Sequence, residues 1–519
     1  MAWALDRIIA AGLLFRQGVP PDASYLFKHA LVQDAAYGTL LREPRRALHA
    51  RIAEILESKF ADVADNQPEL LARHCTEAGL IEKAFGFWGK AGQRSLERSA
   101  LVEAAAQFTR ALDQVAALPA TPALRREQIK LQVALIAPLM YLKGLAASET
   151  RAAVERARLL IEQAETLGEP LDDPLLLFSV LYGFWFVNFA AFNGDVLRDL
   201  ATQFLALAEK QTATIPLMIG HRLVGTSSQC TGDFVDGRAH YDQALALYDA
   251  ATHRSLANRF GQDIRVAILS YRSIALWMLG YPEAALADVD QALKGAREIG
   301  HAPSLMYALA ITSITHSLLG NYAAVNLQLD ELVAVAEEKS ALFWKAVGRM
   351  LQGWVLAQTG KPSGAVHQTT SGITAYQSMG ATYNLPHALS YLAKAYAELG
   401  QFDDALRSIG EGVTAAETTK ETWFEAEVRR IAGEISLKSP ELDAPKAERH
   451  FERALSVARQ QQAKSWELRA SMSLARLWRD QGKVEQAREL LAPVYGWFTE
   501  GFDTLDLKEA KALLDALAS

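Results

Sequence analysis

Four glycines recur at an even spacing of forty residues in the second half of this 519-residue chain. They are Gly280, Gly320, Gly360 and Gly400, and each stands between two segments of apolar periodicity. Glycine accepts the left-handed backbone conformation that ends a helix, so each position predicts a turn between two helices. A repeated helix pair cannot bury its apolar face alone and must stack on its neighbours. The spacing therefore predicts a solenoid of helix pairs.

The second helix of each pair carries a small–large–small pattern. A small residue stands five positions after the turn glycine, a large one often follows four positions later, and a small one three positions after that. Spacings of four and three keep all three on one helical face, where small residues allow close helix packing. The first small positions are Ala84, Gly237, Ala285, Ala365, Ala405 and Ala487. Ala104–Phe108–Ala111 and Ala447–Phe451–Ala454 repeat the pattern without a turn glycine.

This pattern resembles the tetratricopeptide repeat, although the period is near forty rather than about thirty-four residues. The resemblance implies an all-α fold, a right-handed superhelix of helix pairs over residues 67–519. Gly320 is followed by Val325 and Leu329, and Asp199 occupies a position where a small residue is expected. The register of residues 120–193 is left open by the pattern.

The first sixty residues follow a different order. "LDRIIAAGLLF" predicts a helix that runs into a strand, "RQGVPPDAS" a turn, and "YLFKHALVQDAAYGTLL" a second strand followed by a helix. "REPRRALHARIAEILES" predicts one more helix. Helix, two-stranded wing and helix fit the last part of a winged-helix module, here residues 1–62. "FKHALVQDAAYGTLL" with "RRALHARIAEILE" resembles the junction between a STAND/AAA-type ATPase and a tetratricopeptide sensor in bacterial proteins that begin with a class III adenylate/guanylate cyclase domain.

The resemblance implies upstream cyclase and ATPase domains, but the chain lacks their catalytic motifs. A P-loop requires GxxxxGK[ST], whose backbone amides hold phosphates and whose hydroxyl reaches magnesium. No Ser or Thr follows any of the three Gly-Lys pairs, which are Gly89-Lys90, Gly360-Lys361 and Gly482-Lys483. No acidic pair fits the two-metal site of a cyclase. We therefore expect no enzymatic activity, no cofactor and no metal.

Charge and cysteine content restrict the functional class and the cellular location that the chain is expected to have. The net charge is −7 without a basic stripe, which disfavours nucleic-acid binding. The two cysteines lack ligand spacing, which favours a reducing cytoplasmic location. The uncharged stretch Pro174–Gly194 is bracketed by aspartates, so we expect a buried helix rather than a membrane span. His29 and Asp34 are expected to be caps or interface residues, with Tyr37 in the core.

The best-supported hypothesis is a sensor that binds a protein, a peptide or a small effector in a concave groove and regulates a linked cyclase or ATPase. The groove positions implied by the tetratricopeptide resemblance are Arg222, Gln229, Ser270, Trp277, Trp354, His387 and Lys394. Two alternatives stay open. The chain is part of a cyclase–ATPase that has retained activity, or it is a DNA-binding STAND-type regulator that uses its N-terminal wing and the basic residues Arg42, Arg45 and Arg46.

Overall fold

A computed structural model describes residues 2–20, 23–115, 117–440 and 443–518. Its contacts divide the chain into two compact units. The N-terminal unit comprises Met1–Ala91 and Thr109–Pro119, and the repeat unit comprises Gly92–Phe108 and Ala120–Ser519. This division reflects packing, and the sequence modules 1–62 and 67–519 stay a prediction.

The N-terminal unit begins with the predicted helix, hairpin and helices. Leu14 pairs with Phe27 in an antiparallel hairpin. Pro21 and Asp22, which belong to the predicted turn, lie outside the described residues. The predicted order of these elements is confirmed. The elements, the last two of which extend into both units, are α1 (Ala2–Ala10), β1 (Leu14–Gln17), β2 (Ser24–Phe27), α2 (Ala30–Gly38), α3 (Arg42–Lys59), α4 (Ala61–Asn66), α5 (Pro68–Ala78), α6 (Ile81–Glu97) and α7 (Leu101–Val115).

The start of the N-terminal unit buries few of its apolar side chains. Helix α2 has no buried residue, and the 18-residue helix α3 buries only Ala53. Large apolar side chains are exposed from the first helix to the third, which is unusual for a surface that meets only water. We call six of them the apolar face: Trp3, Phe15, Val19, Leu26, Leu31 and Leu41.

The repeat unit is a series of helices that pack in sequential pairs. Three short elements, α14, η1 and α15, interrupt the series. The helices are α8 (Pro122–Leu142), α9 (Ser148–Thr166), α10 (Leu175–Ala190), α11 (Gly194–Gln211), α12 (Thr214–Cys230), α13 (Phe234–Leu247), α14 (Ala250–His253), η1 (Arg254–Leu256), α15 (Ala257–Phe260), α16 (Ile264–Met278), α17 (Pro282–Ile299), α18 (Ala302–Leu318), α19 (Tyr322–Glu338), α20 (Leu342–Gln358), α21 (Pro362–Ser378), α22 (Leu385–Glu398), α23 (Phe402–Thr419), α24 (Glu425–Lys438), α25 (Ala444–Gln460), α26 (Lys464–Asp480), α27 (Val484–Tyr495) and α28 (Leu505–Ala518).

The predicted turns and the close helix contacts are confirmed. Gly280 and Gly400 have positive φ angles of 90° and 75° and separate the two helices of their pairs. Ala285 and Ala292, the small positions of one second helix, are completely buried. The repeat unit is therefore an all-α, tetratricopeptide-like solenoid. Helices α8 to α10 lie within residues 120–193, where the pattern left the register open.

Helix α10 contains most of the uncharged stretch that raised the question of a membrane span. Its aromatic residues Phe178 and Trp185 are buried and contact neighbouring helices, Phe178 through Phe204 on α11 and Trp185 through Ser227 on α12, as the sequence predicted. Across the described ranges, no helix is both long enough and apolar enough to cross a bilayer.

Successive windings of the repeat unit contact each other. The carbonyl of Ala190, at the end of α10, accepts hydrogen bonds from the amides of Thr382 (2.7 Å) and Tyr383 (3.0 Å). The carbonyl of Cys230, at the end of α12, accepts from Thr422 at 3.1 Å, again 192 residues further on. The last carbonyls of a helix lack intrahelical partners, and here the next winding supplies them. The windings thus close over the interior of the solenoid.

Candidate functional site

The structure places the seven expected groove residues in the interior of the repeat unit rather than along an open groove. Lys394 is half-buried and the other six are buried. The difference arises because residues about 190 positions apart pack together, which fills the concave side. Each of the seven positions must therefore be judged by its contacts.

Three of the expected residues meet in one aromatic cluster. The rings of Trp354 and His387 lie 4.3 Å apart between centroids, and Phe424 lies 4.3 Å from His387. Phe424 also contacts Trp466, which packs edge-on against Trp277 at 4.8 Å. We call Trp277, Trp354, His387, Phe424 and Trp466 the aromatic cluster.

The aromatic cluster contains two buried polar atoms without a hydrogen-bond partner in the described part of the chain. They are Nε1 of Trp354 and Nε2 of His387. Buried polar groups are usually satisfied, so these two atoms are a departure from normal packing. Burial lowers the pKa of His387 to about 3, which keeps the imidazole neutral near pH 7.

Charged side chains from successive inner helices lie beside the aromatic cluster. Lys394 on α22 donates to Gln358 on α20 (2.6 Å), and Arg430 on α24 donates to both oxygens of Glu427 at 2.7 and 2.8 Å. A nitrogen of Arg469 on α26 lies 3.6 Å from Glu427. We call this surface the polar wall, comprising Gln358, Lys394, Glu427, Arg430, Glu434 and Arg469.

Burial and neighbouring charges within the polar wall shift the pKa values of two groups. Burial alone would raise the pKa of Glu427, but the charge and hydrogen bonds of Arg430, together with the charge of Arg469, outweigh it and bring the pKa down to about 2. Burial lowers the pKa of Lys394, and the nearby Glu434 opposes that effect. Glu427 is therefore an anion held by two guanidinium groups. Lys394 has an amide partner rather than a carboxylate.

Gln229 and Ser270 are satisfied by their own fold. The Gln229 side-chain oxygen accepts from the Tyr241 hydroxyl at 2.9 Å, and the Ser270 hydroxyl donates to the carbonyl of Val266 at 2.7 Å. These are ordinary intramolecular contacts of buried polar groups. Neither side chain is directed toward an accessible space.

Arg222 is the most unusual of the seven positions. Its guanidinium is 1% exposed and donates to the hydroxyls of Tyr182 (2.6 Å) and Tyr307 (3.1 Å). Its Nε has no partner, and among the described residues no carboxylate oxygen lies within 4.0 Å of the group. When the Gln262 amide is oriented to satisfy its neighbours, its oxygen accepts from Arg222 at 2.9 and 3.3 Å. Gln262 was not expected from the sequence.

A signal for Gln262 does exist in the sequence. The turn glycines Gly232 and Gly280 are 48 residues apart instead of forty. The additional residues belong to the segment that forms α14, η1 and α15. Gln262 follows this segment and lies against Arg222. The extra length marked an insertion, but periodicity alone could not show that it ends in the interior.

A buried carboxyl lies where two windings meet. The Glu421 carboxyl accepts hydrogen bonds from the backbone amide of Asn384 (2.9 Å) and from Nε1 of Trp423 (3.1 Å). The neighbouring residue Thr422 makes the hydrogen bond between windings described above. Burial raises the pKa of Glu421 to about 8, against its ordinary value of 4.5, and the two hydrogen bonds only partly oppose this. The folded protein therefore holds a proton here that the unfolded chain has lost at neutral pH.

Because the pKa of Glu421 is raised on folding, its contribution to stability is lost as the pH rises. Between pH 5.5 and 7 we expect the free energy of unfolding to fall by about 1.4 kcal/mol per pH unit from this group, and the decline should level off above pH 8. The variant Glu421→Gln should lack that decline, because its amide oxygen still accepts both hydrogen bonds. Urea denaturation across this range measures the difference. Parallel pH profiles of the two proteins would contradict the assignment.

The candidate positions in the N-terminal unit are exposed or make intramolecular contacts. His29 is exposed and stands at the N-cap position of α2 without a side-chain capping bond, and Asp34 is exposed. The expectation that Tyr37 belongs to the core is wrong, because its ring is exposed and its hydroxyl lies 2.9 Å from Nε2 of His49. Arg45 stacks on Tyr37, and Arg46 donates to the carbonyl of Ala78, so intramolecular contacts occupy both.

Nothing in the described ranges forms a group of three or more His, Cys, Asp or Glu side chains that could hold a metal ion. The groups that distinguish the interior are instead an Arg222 guanidinium without an acid, two unpartnered ring nitrogens and the charged residues of the polar wall. Such groups recognise ligands by hydrogen bonding and charge.

No protein-family model matches the chain. The chain is 25% identical over 488 residues to the uncharacterized protein R02095 of Rhizobium meliloti (strain 1021). The match covers 92% of this chain and 46% of that protein, so the chain spans about half the length of the curated relative it matches.

Solved structures with a similar arrangement share little sequence with this chain. A Rap protein complexed with competence and sporulation factor is 12% identical, with a TM-score of 0.49 over 76% of this chain and 99% of the other. The apo quorum sensor NprR from B. thuringiensis is 12% identical, with a TM-score of 0.43 over 71% and 98%. The APC/C hetero-tetramer Cut9–Hcn1 is 14% identical, with a TM-score of 0.44 over 95% and 99%. Similarities this remote carry no function across to the chain.

Proposed function

We propose that the repeat unit is a non-catalytic module that binds a peptide or protein segment along the polar wall and regulates a linked output. The observation that carries the proposal is the convergence of Gln358, Lys394, Arg430 and Arg469 from the four inner helices α20, α22, α24 and α26. A wall used only for packing would be apolar, because burying a charge is costly even when it is paired.

The chemistry of the polar wall suits an extended chain. A peptide presents backbone N–H and C=O groups that need partners once they leave water. Lys394 and Arg430 supply donors, and Glu434, whose side chain is 31% exposed, supplies an acceptor at the rim. The adjacent aromatic cluster offers apolar surface and two unpartnered ring nitrogens for a side chain of the ligand. Aromatic residues and arginine are enriched at binding surfaces of this kind.

Replacing Lys394 by Met should weaken peptide binding about tenfold or more, because a charge-assisted hydrogen bond contributes roughly 1.5–3 kcal/mol. Met keeps the length of the side chain and removes the charge. Fluorescence anisotropy with the tightest sequences from an array of random decapeptides measures the change. Lys511→Met is the matched control, since the exposed side chain of Lys511 pairs with the exposed Asp515 on helix α28. Equal affinity of both variants and the wild type would rule out the polar wall as the binding surface.

We further propose that the linked output is a cyclase–ATPase attached through residues 1–62. The sequence resemblance of this segment and its order of helix, hairpin and helices support the assignment. The apolar face supports it independently, because Phe15, Leu26 and Leu31 need a covering protein surface. In this arrangement the occupied repeat unit would act on the output domain through that junction.

A further inference from the structure

Residues 249–262 are the segment where the series of helix pairs is interrupted. They follow α13, contain α14, η1 and α15, and end one residue before the N-cap of α16. We call them the plug segment. Phe260 and Gln262, at its end, are each only 1% exposed, so the segment runs from the surface into the interior of the repeat unit.

The end of the plug segment covers Arg222. The Phe260 ring packs edge-on against Tyr182 at 5.0 Å, and the Tyr182 hydroxyl accepts a hydrogen bond from the Arg222 guanidinium (2.6 Å). The carboxamide oxygen of Gln262 reaches two nitrogens of Arg222 at 2.9 and 3.3 Å. The Tyr141 hydroxyl also holds this end of the plug segment, because it donates a hydrogen bond to the carbonyl of Gly261 at 2.8 Å.

Arg222 is poorly compensated by these partners. Its neighbours are an amide and phenols, and burial raises the pKa of Tyr182, so the phenol stays neutral. The guanidinium lies over the rings of Tyr182, Phe186 and Tyr307 at 5.4–5.8 Å, and its Nε remains without a partner in the described ranges. A buried charge without an opposite charge is costly, and a carboxylate is its best geometric match.

Two cavities adjoin the plug segment. A cavity of about 530 Å³ is lined by Asp249, Ala250 and Arg254, together with residues of α16 and α17. A second cavity of about 360 Å³ is lined by Ser255, Asn258 and Arg259. These cavities border the outer part of the plug segment, whereas Phe260 and Gln262 at its end are buried.

We propose that the plug segment is a built-in competitor, in which the Gln262 carboxamide occupies the position that the carboxylate of a bound peptide takes on Arg222. The ligand is a peptide whose C-terminal carboxylate takes the place of the Gln262 carboxamide on Arg222. Binding moves Phe260 and Gln262 aside and replaces a neutral acceptor by an anion. This inference rests on the proposed function and adds the chemistry of the ligand to it.

Two substitutions at Gln262 test the proposal in opposite directions. Gln262→Glu places a carboxylate on Arg222 from within, so it should raise the unfolding temperature and lower peptide retention at least tenfold. Gln262→Ala removes the competing oxygen and should raise retention severalfold. The probe is a pool of hexapeptides randomised without Asp or Glu, with a free C-terminal carboxylate, and the same pool amidated at the C terminus serves as its matched control. Equilibrium dialysis with mass spectrometry measures the retained fraction.

We expect retention of the carboxylate pool in the order Gln262→Ala, wild type, Gln262→Glu, and background retention of the amidated pool. Hydrogen exchange of residues 249–262 in the wild type should become faster on binding. Retention of both pools to the same extent by all three proteins would overturn the competitor proposal and leave the proposed function standing. If no protein retains either pool, both fail. Displacement of the pool by equimolar acetate would assign the site to small organic acids and overturn the peptide part.

Discussion

Replacing Gly280 by Ala should lower the free energy of unfolding by about 3 kcal/mol, whereas Gly400→Ala should lower it by only about 1 kcal/mol. Both glycines end the first helix of a pair, with similar positive φ angles of 90° and 75°. Both substitutions therefore strain the backbone to a similar extent. The difference comes from what the added methyl group meets.

At Gly280 the added Cβ would lie 2.4 Å from the ring of Trp497 and 3.0 Å from Cβ of Lys464, which belong to the next winding. At Gly400 it would meet nothing within 4 Å. Urea denaturation followed by far-ultraviolet circular dichroism measures both variants under the same conditions. Equal losses would mean that the windings do not contact each other in solution, and the filled interior would have to be abandoned.

Replacing Glu427 by Ala should lower the free energy of unfolding by about 3–5 kcal/mol, because it leaves the buried guanidinium groups of Arg430 and Arg469 without their shared anion. The comparison variant is Glu162→Gln, which removes an acid from an exposed ion pair with Arg158 and should leave the denaturation midpoint unchanged. The same urea titration gives both values.

The double variant Glu427→Met with Arg430→Met separates charge from packing. Replacing both partners of a buried ion pair by apolar residues often leaves the free energy of unfolding unchanged. The double variant should therefore regain most of the stability that Glu427→Ala loses. Arg469 keeps its bond to Asp506 at 2.9 Å in that protein. A double variant as unstable as the single one would show that shape rather than charge balance governs this part of the polar wall.

Local features of the fold were readable from the sequence. The turn at Gly280, the burial of Ala285 and Ala292, and the hairpin that pairs Leu14 with Phe27 all depend on residues close together in the chain. Glycine tolerance, helical spacing and turn chemistry act over such short distances. Sequence periodicity therefore predicted the helix pairs and the elements of the first sixty residues.

The filled interior could not be predicted from the sequence in the same way. Contacts such as that between Cys230 and Thr422 depend on the pitch of the winding, which sums small rotations over several repeats. The tetratricopeptide resemblance implied that residues such as Trp354 line a groove, but closure of the windings buries them. Lys394 alone among the expected positions retains partial exposure. Gln262 was missed because only the interval between two glycines indicated its segment.

The contact between windings can be measured directly by a disulfide between Gly194→Cys and Lys420→Cys. A Cβ added at Gly194 would lie 2.9 Å from Cβ of Lys420, within reach of a disulfide after a small adjustment, although the positions are 226 residues apart. The control pairs Gly400→Cys with Lys420→Cys, at opposite ends of α23. Non-reducing electrophoresis after mild oxidation should show near-complete intramolecular crosslinking for the first pair and none for the second. An uncrosslinked first pair would contradict a solenoid whose windings close over its interior.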